Sequence, residues 1–135
     1  MNLVLCLDDK NGMLFNHRRQ SMDRILREDM LAYTEHKVLW MSPYTAGQFA
    51  ELPTHVRIAD DPIGAAGEGA YCFVERNDWT KAADQIQDVI VYRWNRVYPA
   101  DVPFPQSELD RRRLINTVEF VGSSHDRITR EIYRL

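Results

Sequence analysis

The sequence predicts an α/β fold with three layers, in which a mostly parallel central sheet ends in a C-terminal antiparallel hairpin. Short apolar runs of strand length recur along the chain, and segments of helical spacing or small-residue loops separate them. Two β-prone segments joined by a Gly-Ser-Ser turn then close the chain. Strands that alternate with helices favour a parallel sheet, and a terminal hairpin adds an antiparallel edge. The 135 residues, 44% of them hydrophobic, predict one domain over residues 1–135.

Composition and charge argue against several classes of function. The net charge is −3 and the pI is about 5.8, so the overall electrostatics do not favour nucleic acid. Cys6 and Cys72 lie in apolar runs without CxxC spacing, which predicts buried free thiols in a reducing, cytoplasmic setting. The four histidines show no metal-ligand spacing, so no metal site is predicted. No signal peptide precedes the first strand, and no apolar run approaches the length of a membrane span.

The chain opens with a buried strand over Asn2–Leu7, followed by a glycine-broken loop. Ser21 is the predicted N-cap of the first helix, whose apolar positions are Met22, Ile25, Leu26, Met30 and Leu31. Asp23 falls in the first turn of this helix, where a carboxylate complements the helix dipole. That capping role is by itself a sufficient reason for a carboxylate at this position.

The later elements follow the same alternation. Ser42 and Pro43 predict the start of a short helix, because proline is tolerated at the first helical position. Asp60–Gly69 is a small-residue loop that lacks the GxGxxG order of a dinucleotide site. The remaining predicted elements are strands at Val38–Met41, Val56–Ala59, Ala70–Glu75 and Val89–Tyr92, a helix capped by Asn77 or Asp78, and a hairpin formed by Leu114–Val121 and Ile128–Leu135.

Two polar clusters lie at predicted strand ends. Residues 16–21 follow the first strand at the sheet's carboxyl edge, where open α/β sheets place ligands, although a solvated connection is the alternative. Arg93–Tyr98 is either an edge strand with ordinary cross-strand pairs or a contact for an anion or heterocycle, because arginine binds carboxylate and phosphate bidentately. Ser123, Ser124 and His125 predict a plain turn, since adjacent serine and histidine side chains in a hairpin rarely face each other.

Four segments resemble the dihydrofolate reductase family, and they occur in the family's order over most of the chain. Asn11–Asn16 is similar to the family's NGIGxxN-type loop, and Met41–Thr45 partly matches its MGRxT helix start. Ala100–Pro105 resembles the GDxxFP segment, and Glu131–Tyr133 resembles the EIY-type finish of the last strand. The resemblance implies the family's fold, with a ligand cleft at the carboxyl edge of the sheet. It also implies that Asp23, close to the position of the family's early-helix carboxylate, is the candidate catalytic residue.

The departures from the family pattern concern the cofactor. Leu14 replaces the loop glycine that lies against the nicotinamide in the family, and Pro43 replaces the basic residue of the phosphate-binding turn. Glu75 and Arg76 stand where the family has adjacent glycines beside the cofactor diphosphate. A carboxylate and two Cβ atoms there oppose a diphosphate by charge and by bulk. We therefore predict no nicotinamide cofactor, with NADPH binding disfavoured.

The sequence-based hypothesis is a domain that keeps a reductase-like cleft and binds a small anionic or heterocyclic ligand. The predicted ligand-binding residues are Asn16, Arg18, Arg19, Gln20, Thr45, Arg93, Asn95 and Arg96. One alternative is an NADPH-dependent reductase with an altered cofactor site. Another is a non-catalytic protein-interaction module or homodimer, supported by Tyr92, Trp94 and Tyr98 as exposed aromatics, a residue class enriched at interfaces.

Overall fold

A computed structural model describes all residues from 1 to 135 and contains ten strands, four α-helices and one 3-10 helix. The strands are β1 (Asn2–Leu7), β2 (Gly12–Phe15), β3 (Arg18–Arg19), β4 (Leu39–Met41), β5 (Val56–Ile58), β6 (Tyr71–Phe73), β7 (Asp88–Arg93), β8 (Val102–Pro103), β9 (Arg113–Phe120) and β10 (Ile128–Arg134). The helices are α1 (Arg24–Thr34), α2 (Pro43–Ala46), α3 (Pro62–Ala65) and α4 (Gln106–Asp110), and the 3-10 helix is Asn77–Gln85.

Seven strands form the main sheet in the order β5-β4-β6-β1-β7-β10-β9. The first five strands of that order are parallel, and β10 runs antiparallel to both β7 and β9. The predicted fold class, a mostly parallel sheet with a C-terminal antiparallel hairpin, is therefore confirmed. Because β1 is central, its carboxyl end lies between the ends of β6 and β7, and the loop that follows β1 emerges at the middle of the sheet.

Apolar side chains cover both faces of the sheet, which gives three layers. On one face Val4 and Ile90 pack with Leu26 and Met30 of α1. On the other face the odd-numbered leucines of β1 pack against the 3-10 helix, α3 and α4, through side chains that include Trp79, Ile63 and Leu109. Alternate residues of a strand point to opposite faces, so the unbroken apolar run of β1 is what a strand covered on both sides requires.

Several local predictions were wrong in instructive ways. The N-cap of α1 is Asp23, whose side chain accepts the Leu26 N–H, so the helix begins two residues later than a Ser21 cap predicts. The polar loop after β1 contains β2 and β3, and these form a small second sheet with β8 in the order β3-β2-β8. The loop at Asp60–Gly69 holds the short helix α3, with Asp61 as its N-cap. Each of these features depends on a contact with a distant segment or on a single capping side chain.

Tyr92 of β7 and the aromatic residues just after this strand are not exposed, contrary to the prediction from the sequence. Tyr92 is fully buried and Trp94 is 4% exposed, and Tyr98 is half-buried. These residues pack on the α1 face of the sheet, because β7 is an inner strand and not an edge strand. None of the helices combines the length and the apolar character that crossing a membrane requires.

Candidate functional site

Asp23 is a buried carboxylate whose oxygens are fully used by bonds inside the chain. It accepts the N–H of Leu26 at 3.1 Å as the α1 cap, and the N–H groups of Ser123 and Ser124 at 3.0 and 2.9 Å. His125 Nδ1 lies 2.9 Å from Oδ2. Burial opposes ionisation of Asp23, but the backbone N–H groups of Ser124 and Ser123 and the His125 ring hold its pKa well below the usual carboxyl range. This carboxylate ties the start of α1 to the turn between β9 and β10.

His125, which contacts Asp23 through Nδ1, makes further contacts through Nε2 and through the face of its ring. Its Nε2 atom lies 3.0 Å from Ser21 Oγ and 3.1 Å from the Tyr98 hydroxyl oxygen. Its ring stacks on Trp94, with 4.7 Å between the ring centroids. The turn that seemed plain in the sequence therefore folds back over the start of α1, and its histidine connects Asp23 to two hydroxyl groups.

Arg19 and Glu75 form an ion pair across the cleft at the carboxyl edge of the sheet. Arg19 Nε lies 2.9 Å from Glu75 Oε2, and Nη2 lies 3.1 Å from Oε1. Thr45 donates to the same carboxylate at 2.9 Å, and the Arg19 guanidinium stacks on the Tyr44 ring at 4.4 Å from its centroid. Three segments that are far apart in the chain, β3, α2 and the end of β6, are joined by this pair. The pair is two-pronged and mostly buried, which makes it stronger than an exposed ion pair.

The space left at the centre of the cleft, which we call the closed cavity, has a volume of only about 10 Å³. Cys6, Phe73 and Trp94 line it from the sheet, and Leu26 and Arg27 line it from α1. A cavity of this size holds about one water molecule. Burial also raises the pKa of the Cys6 thiol well above its usual value, so this thiol is not a reactive thiolate.

A second space lies outside the Arg19–Glu75 pair, between the start of α2 and the end of β6, and we call it the acidic groove. Its volume is about 230 Å³. Three carboxylates line it, those of Asp60, Glu75 and Asp78, against one guanidinium, that of Arg76. The lining is therefore rich in negative charge.

The α1 groove is a third space, of about 470 Å³, between α1 and the segment that follows α2. Arg24 pairs with Glu28 at 3.0 Å on the exposed side of α1. Arg27 makes no ion pair and no side-chain hydrogen bond, and it lines both the α1 groove and the closed cavity. The apolar part of the lining is formed by Leu31, Phe49, Ala50, Leu52 and Pro53. Glu51 also lines this groove and makes no ion pair, so the groove combines an apolar wall with one unpaired guanidinium, that of Arg27, and one unpaired carboxylate.

The ligand-binding residues predicted around β3 separate into two groups. Arg19 and Gln20 line the closed cavity, and Gln20 Nε2 also donates to Asp8 at 3.2 Å. Arg18 and Asn16 are exposed to solvent. Neighbouring residues of a strand point in opposite directions, so β3 sends one arginine into the cleft and the other out of it. Thr45, on α2, faces the acidic groove beside Glu75.

The predicted ligand-binding residues at the end of β7 and just after it line none of these three spaces. The side chains of Arg93 and Asn95 both form bonds to β10. Arg93 pairs with Glu131 of β10 at 2.9 Å. Asn95 has a positive φ of 58° and donates to Thr129 Oγ1 at 2.9 Å. Arg96 is exposed. These contacts are the cross-strand pairs that formed one of the two interpretations of this cluster, and a role in ligand binding stays a prediction.

Comparison with known proteins identifies the fold. No protein-family model matches the sequence, and no curated protein matches it either. Among solved structures the chain is similar to dihydrofolate reductase from Enterococcus faecalis complexed with NADP(H) and RAB-propyl, with a TM-score of 0.69 and 11% sequence identity. The match covers 98% of this chain and 94% of that chain. The chain therefore has the dihydrofolate reductase fold, as its sequence resemblance predicts.

Proposed function

We propose that this protein is a ligand-binding domain of dihydrofolate reductase fold that does not use a nicotinamide cofactor. Its ligand is a small anion with an apolar or heterocyclic body, and it binds in the α1 groove. The observation that carries the proposal is the Arg27 guanidinium, which has no carboxylate within ion-pair distance, although Glu51 lines the same groove, and which lies beside an apolar wall. A groove of about 470 Å³ is within the usual size range of small-molecule sites.

The charges at the cleft support the part of the proposal that concerns the cofactor. The structural neighbour binds NADP(H), and its fold implies that cofactor here. Glu75 of the acidic groove is paired with Arg19, and of the other charged residues in its lining Asp60 and Asp78 outnumber Arg76. The remaining charge is negative and opposes a diphosphate, although these side chains are exposed to solvent. The Arg19–Glu75 pair also occupies the passage between this groove and the closed cavity.

The ligand-binding residues predicted from the sequence lie at different distances from the proposed site. Arg19 and Gln20 line the closed cavity, which shares Arg27 with the α1 groove, and Thr45 lines the acidic groove. Asn16, Arg18, Arg93, Asn95 and Arg96 line none of the three spaces, and their part in ligand binding stays a prediction. Catalysis by Asp23 in the manner of the family's carboxylate finds no support in a side chain that is bonded on every side. The two cysteines are unpaired, which fits the proposed reducing, cytoplasmic setting.

A thermal-shift panel of benzoate, nicotinate, other aromatic carboxylates, folate and NADPH tests the proposal. We expect at least one aromatic carboxylate to raise the melting temperature of the protein, because ligand binding to the folded state stabilises it by mass action. Arg27→Ala should remove the rise, and Arg111→Ala, an exposed arginine of the α4 region, should leave it unchanged. A panel without any shift contradicts ligand binding. Quenching of tryptophan fluorescence by NADPH contradicts the loss of the cofactor.

A second candidate function is protein contact through the free edge of the main sheet. β9 is the edge strand, all but one of its eight residues are exposed, and Leu114, Ile115 and Val118 are among the exposed apolar side chains. An exposed apolar edge strand is a template for pairing with another chain. A register shift between Ile132 and Tyr133 of β10 interrupts the regular ladder beside Ile115, which limits the regular edge to Asn116–Phe120.

The homodimer form of this candidate is tested by light scattering after size-exclusion chromatography. A concentration-dependent mass of two chains, reduced to one chain by Val118→Lys, would support pairing through β9. The exposed residue Val97 lies outside β9, so Val97→Lys serves as the control for a general effect of added charge. A mass of one chain at all concentrations would rule out this form.

A further inference from the structure

Ser21, His125 and Asp23 stand in one line of hydrogen bonds, although the sequence places the histidine about a hundred residues from the other two. Ser21 Oγ lies 3.0 Å from His125 Nε2, and His125 Nδ1 lies 2.9 Å from Asp23 Oδ2. This is the geometry by which a serine nucleophile, an imidazole base and an orienting carboxylate are recognised on unrelated folds. We propose that Ser21 is a nucleophile that accepts the acyl group of a small ester, activated by His125 and Asp23. This activity goes beyond the proposed ligand binding and does not depend on it.

The bonding pattern assigns the tautomer of His125 that the reaction needs. Asp23 is an ionised carboxylate and only accepts hydrogen bonds, so the ring proton lies on Nδ1 and is donated to Oδ2. The lone pair of Nε2 then accepts a hydrogen bond from one of two hydroxyl groups, that of Ser21 at 3.0 Å or that of Tyr98 at 3.1 Å. The backbone N–H groups of Ser123 and Ser124 hold the carboxylate in place. The histidine and aspartate side chains are only 3% and 0% exposed, which keeps water from competing for these bonds.

The segment that carries Ser21 also contains backbone N–H groups that have no partner in the chain. The backbone N–H groups of Ser21, Met22 and Asp23 donate to no group of the chain. In hydrolases with a serine nucleophile, the N–H of the following residue is a common donor to the oxyanion. Ser21 is half-buried at the rim of the closed cavity, which holds about one water molecule and therefore no part of a substrate. A substrate must approach Ser21 from the solvent side, and the substrate class is a small ester.

The reaction is balanced with water as the only co-reactant. Ser21 Oγ forms a bond to the carbonyl carbon while its proton passes to His125 Nε2. The ester C–O bond then breaks, and the leaving alkoxide takes the proton from Nε2. Water attacks the acyl-serine in the second half, gives its proton to Nε2, and the carboxylic acid is released as Ser21 recovers its proton.

Tyr98 provides a test of whether His125 serves Ser21 or only holds the fold together. Its hydroxyl group lies 3.1 Å from the same Nε2 atom and competes with Ser21 for the lone pair. Tyr98→Phe removes the competitor and keeps the ring. The reactivity of Ser21 is therefore expected to stay the same or to rise in this variant.

A fluorophosphonate probe tests the proposal without knowledge of the natural substrate, because it reacts with an activated serine and releases fluoride. We expect intact-mass analysis to show one adduct on the folded protein, mapped to Ser21 by peptide sequencing. Ser21→Ala should abolish the adduct, and His125→Asn should slow it by about 100-fold or more, the usual contribution of a general base. Ser107→Ala, an exposed serine of α4, should leave labelling unchanged.

Three outcomes would overturn the proposal: no adduct on the folded wild-type protein, an adduct on another serine, or labelling of Ser21 that is as fast in His125→Asn as in the wild type. Circular dichroism checks that each variant is folded. If His125→Asn unfolds, the wild-type protein, Ser21→Ala and Tyr98→Phe still decide the question. A drop in labelling in a folded Tyr98→Phe variant would also contradict the assigned role of Nε2.

Discussion

The closed cavity and the α1 groove share Arg27, but they are built in opposite ways. Around the closed cavity the ionised side chains are paired across the fold, Arg19 with Glu75 and Asp23 with the His125 turn. Along the α1 groove the guanidinium of Arg27 has no such partner and borders apolar side chains. A site for an external ligand needs polar groups that the protein has not already used. The comparison indicates that the polar centre of the cleft stabilises the fold and that the groove beside it is free to bind.

The largest effect is expected from removing the carboxylate that joins α1 to the hairpin. Asp23→Ala leaves three backbone N–H groups without an acceptor and His125 without its partner. We expect a loss of about 3 kcal/mol or more in the free energy of unfolding, equivalent to a fall of roughly 10 °C in melting temperature. Urea and thermal unfolding measure it.

Asp61→Ala is the matched control for this change, because Asp61 is also a helix N-cap but its side chain is 56% exposed. We expect a much smaller loss there, since water replaces the missing acceptor. Equal losses at the two positions would show that Asp23 acts as an ordinary helix cap. The contrast between the residues around the closed cavity and those at exposed positions would then fail.

The lowered pKa of Asp23 predicts how the stability of the protein changes at acidic pH. Because folding lowers the pKa of Asp23, its contribution to stability is complete above the unfolded-state value of about 4 and is lost as the pH falls toward the folded-state value. The free energy of unfolding should therefore decrease below about pH 4. Asp23→Asn should flatten that decrease. An unchanged slope in the variant would mean that other carboxylates dominate.

An intermediate effect is expected at the ion pair that spans the cleft. The Arg19 and Glu75 side chains are only 18% and 9% exposed. Removing either one therefore leaves the other charge without a partner and with little water around it. A double-mutant cycle of Arg19→Ala and Glu75→Ala should give a coupling energy of about 1–2 kcal/mol. A coupling energy near zero would show that this ion pair contributes no more than an exposed one. The cleft could then not be described as closed by it.

The smallest effect on stability is expected in the α1 groove. Arg27→Ala removes a side chain with no ion pair, so the free energy of unfolding should change by about 0.5 kcal/mol or less. The same variant should nevertheless lose the thermal shift caused by an aromatic carboxylate. A large destabilisation without ligand would show that Arg27 is part of the packed structure and not a free binding group.

The sequence predicted the fold better than the site, and the reason is physical. The apolar run of β1, the Ser42-Pro43 helix start and the terminal hairpin are local patterns, and all three are present in the structure. Whether a polar residue faces a partner or solvent depends on segments that are distant in the chain. Arg18 and Arg19 are the same type of residue and are adjacent in the sequence, yet only Arg19 contacts Glu75. Sequence alone gives no signal for that pairing.

The same limit explains why the sequence predicts only a plain turn around His125. Its partners Ser21 and Asp23 are about a hundred residues away, and no local spacing connects them to it. Ser123 and Ser124 are the serines beside His125 in the sequence, whereas the serine whose hydroxyl lies 3.0 Å from its Nε2 atom is the distant Ser21. A helix N-terminus preceded by serine and aspartate is too common a pattern to have indicated the contact.

The cap of α1 has a consequence for the order in which the molecule is assembled. Gly122 lies so close to the Asp23 carboxylate that an added Cβ would collide with it, and the neighbouring N–H groups complete the cap from the far end of the chain. The N-terminus of α1 is therefore complete only after a segment about a hundred residues further along the chain has reached it. Contacts so distant in sequence form slowly, so the final locking of α1 should coincide with closure of the whole sheet.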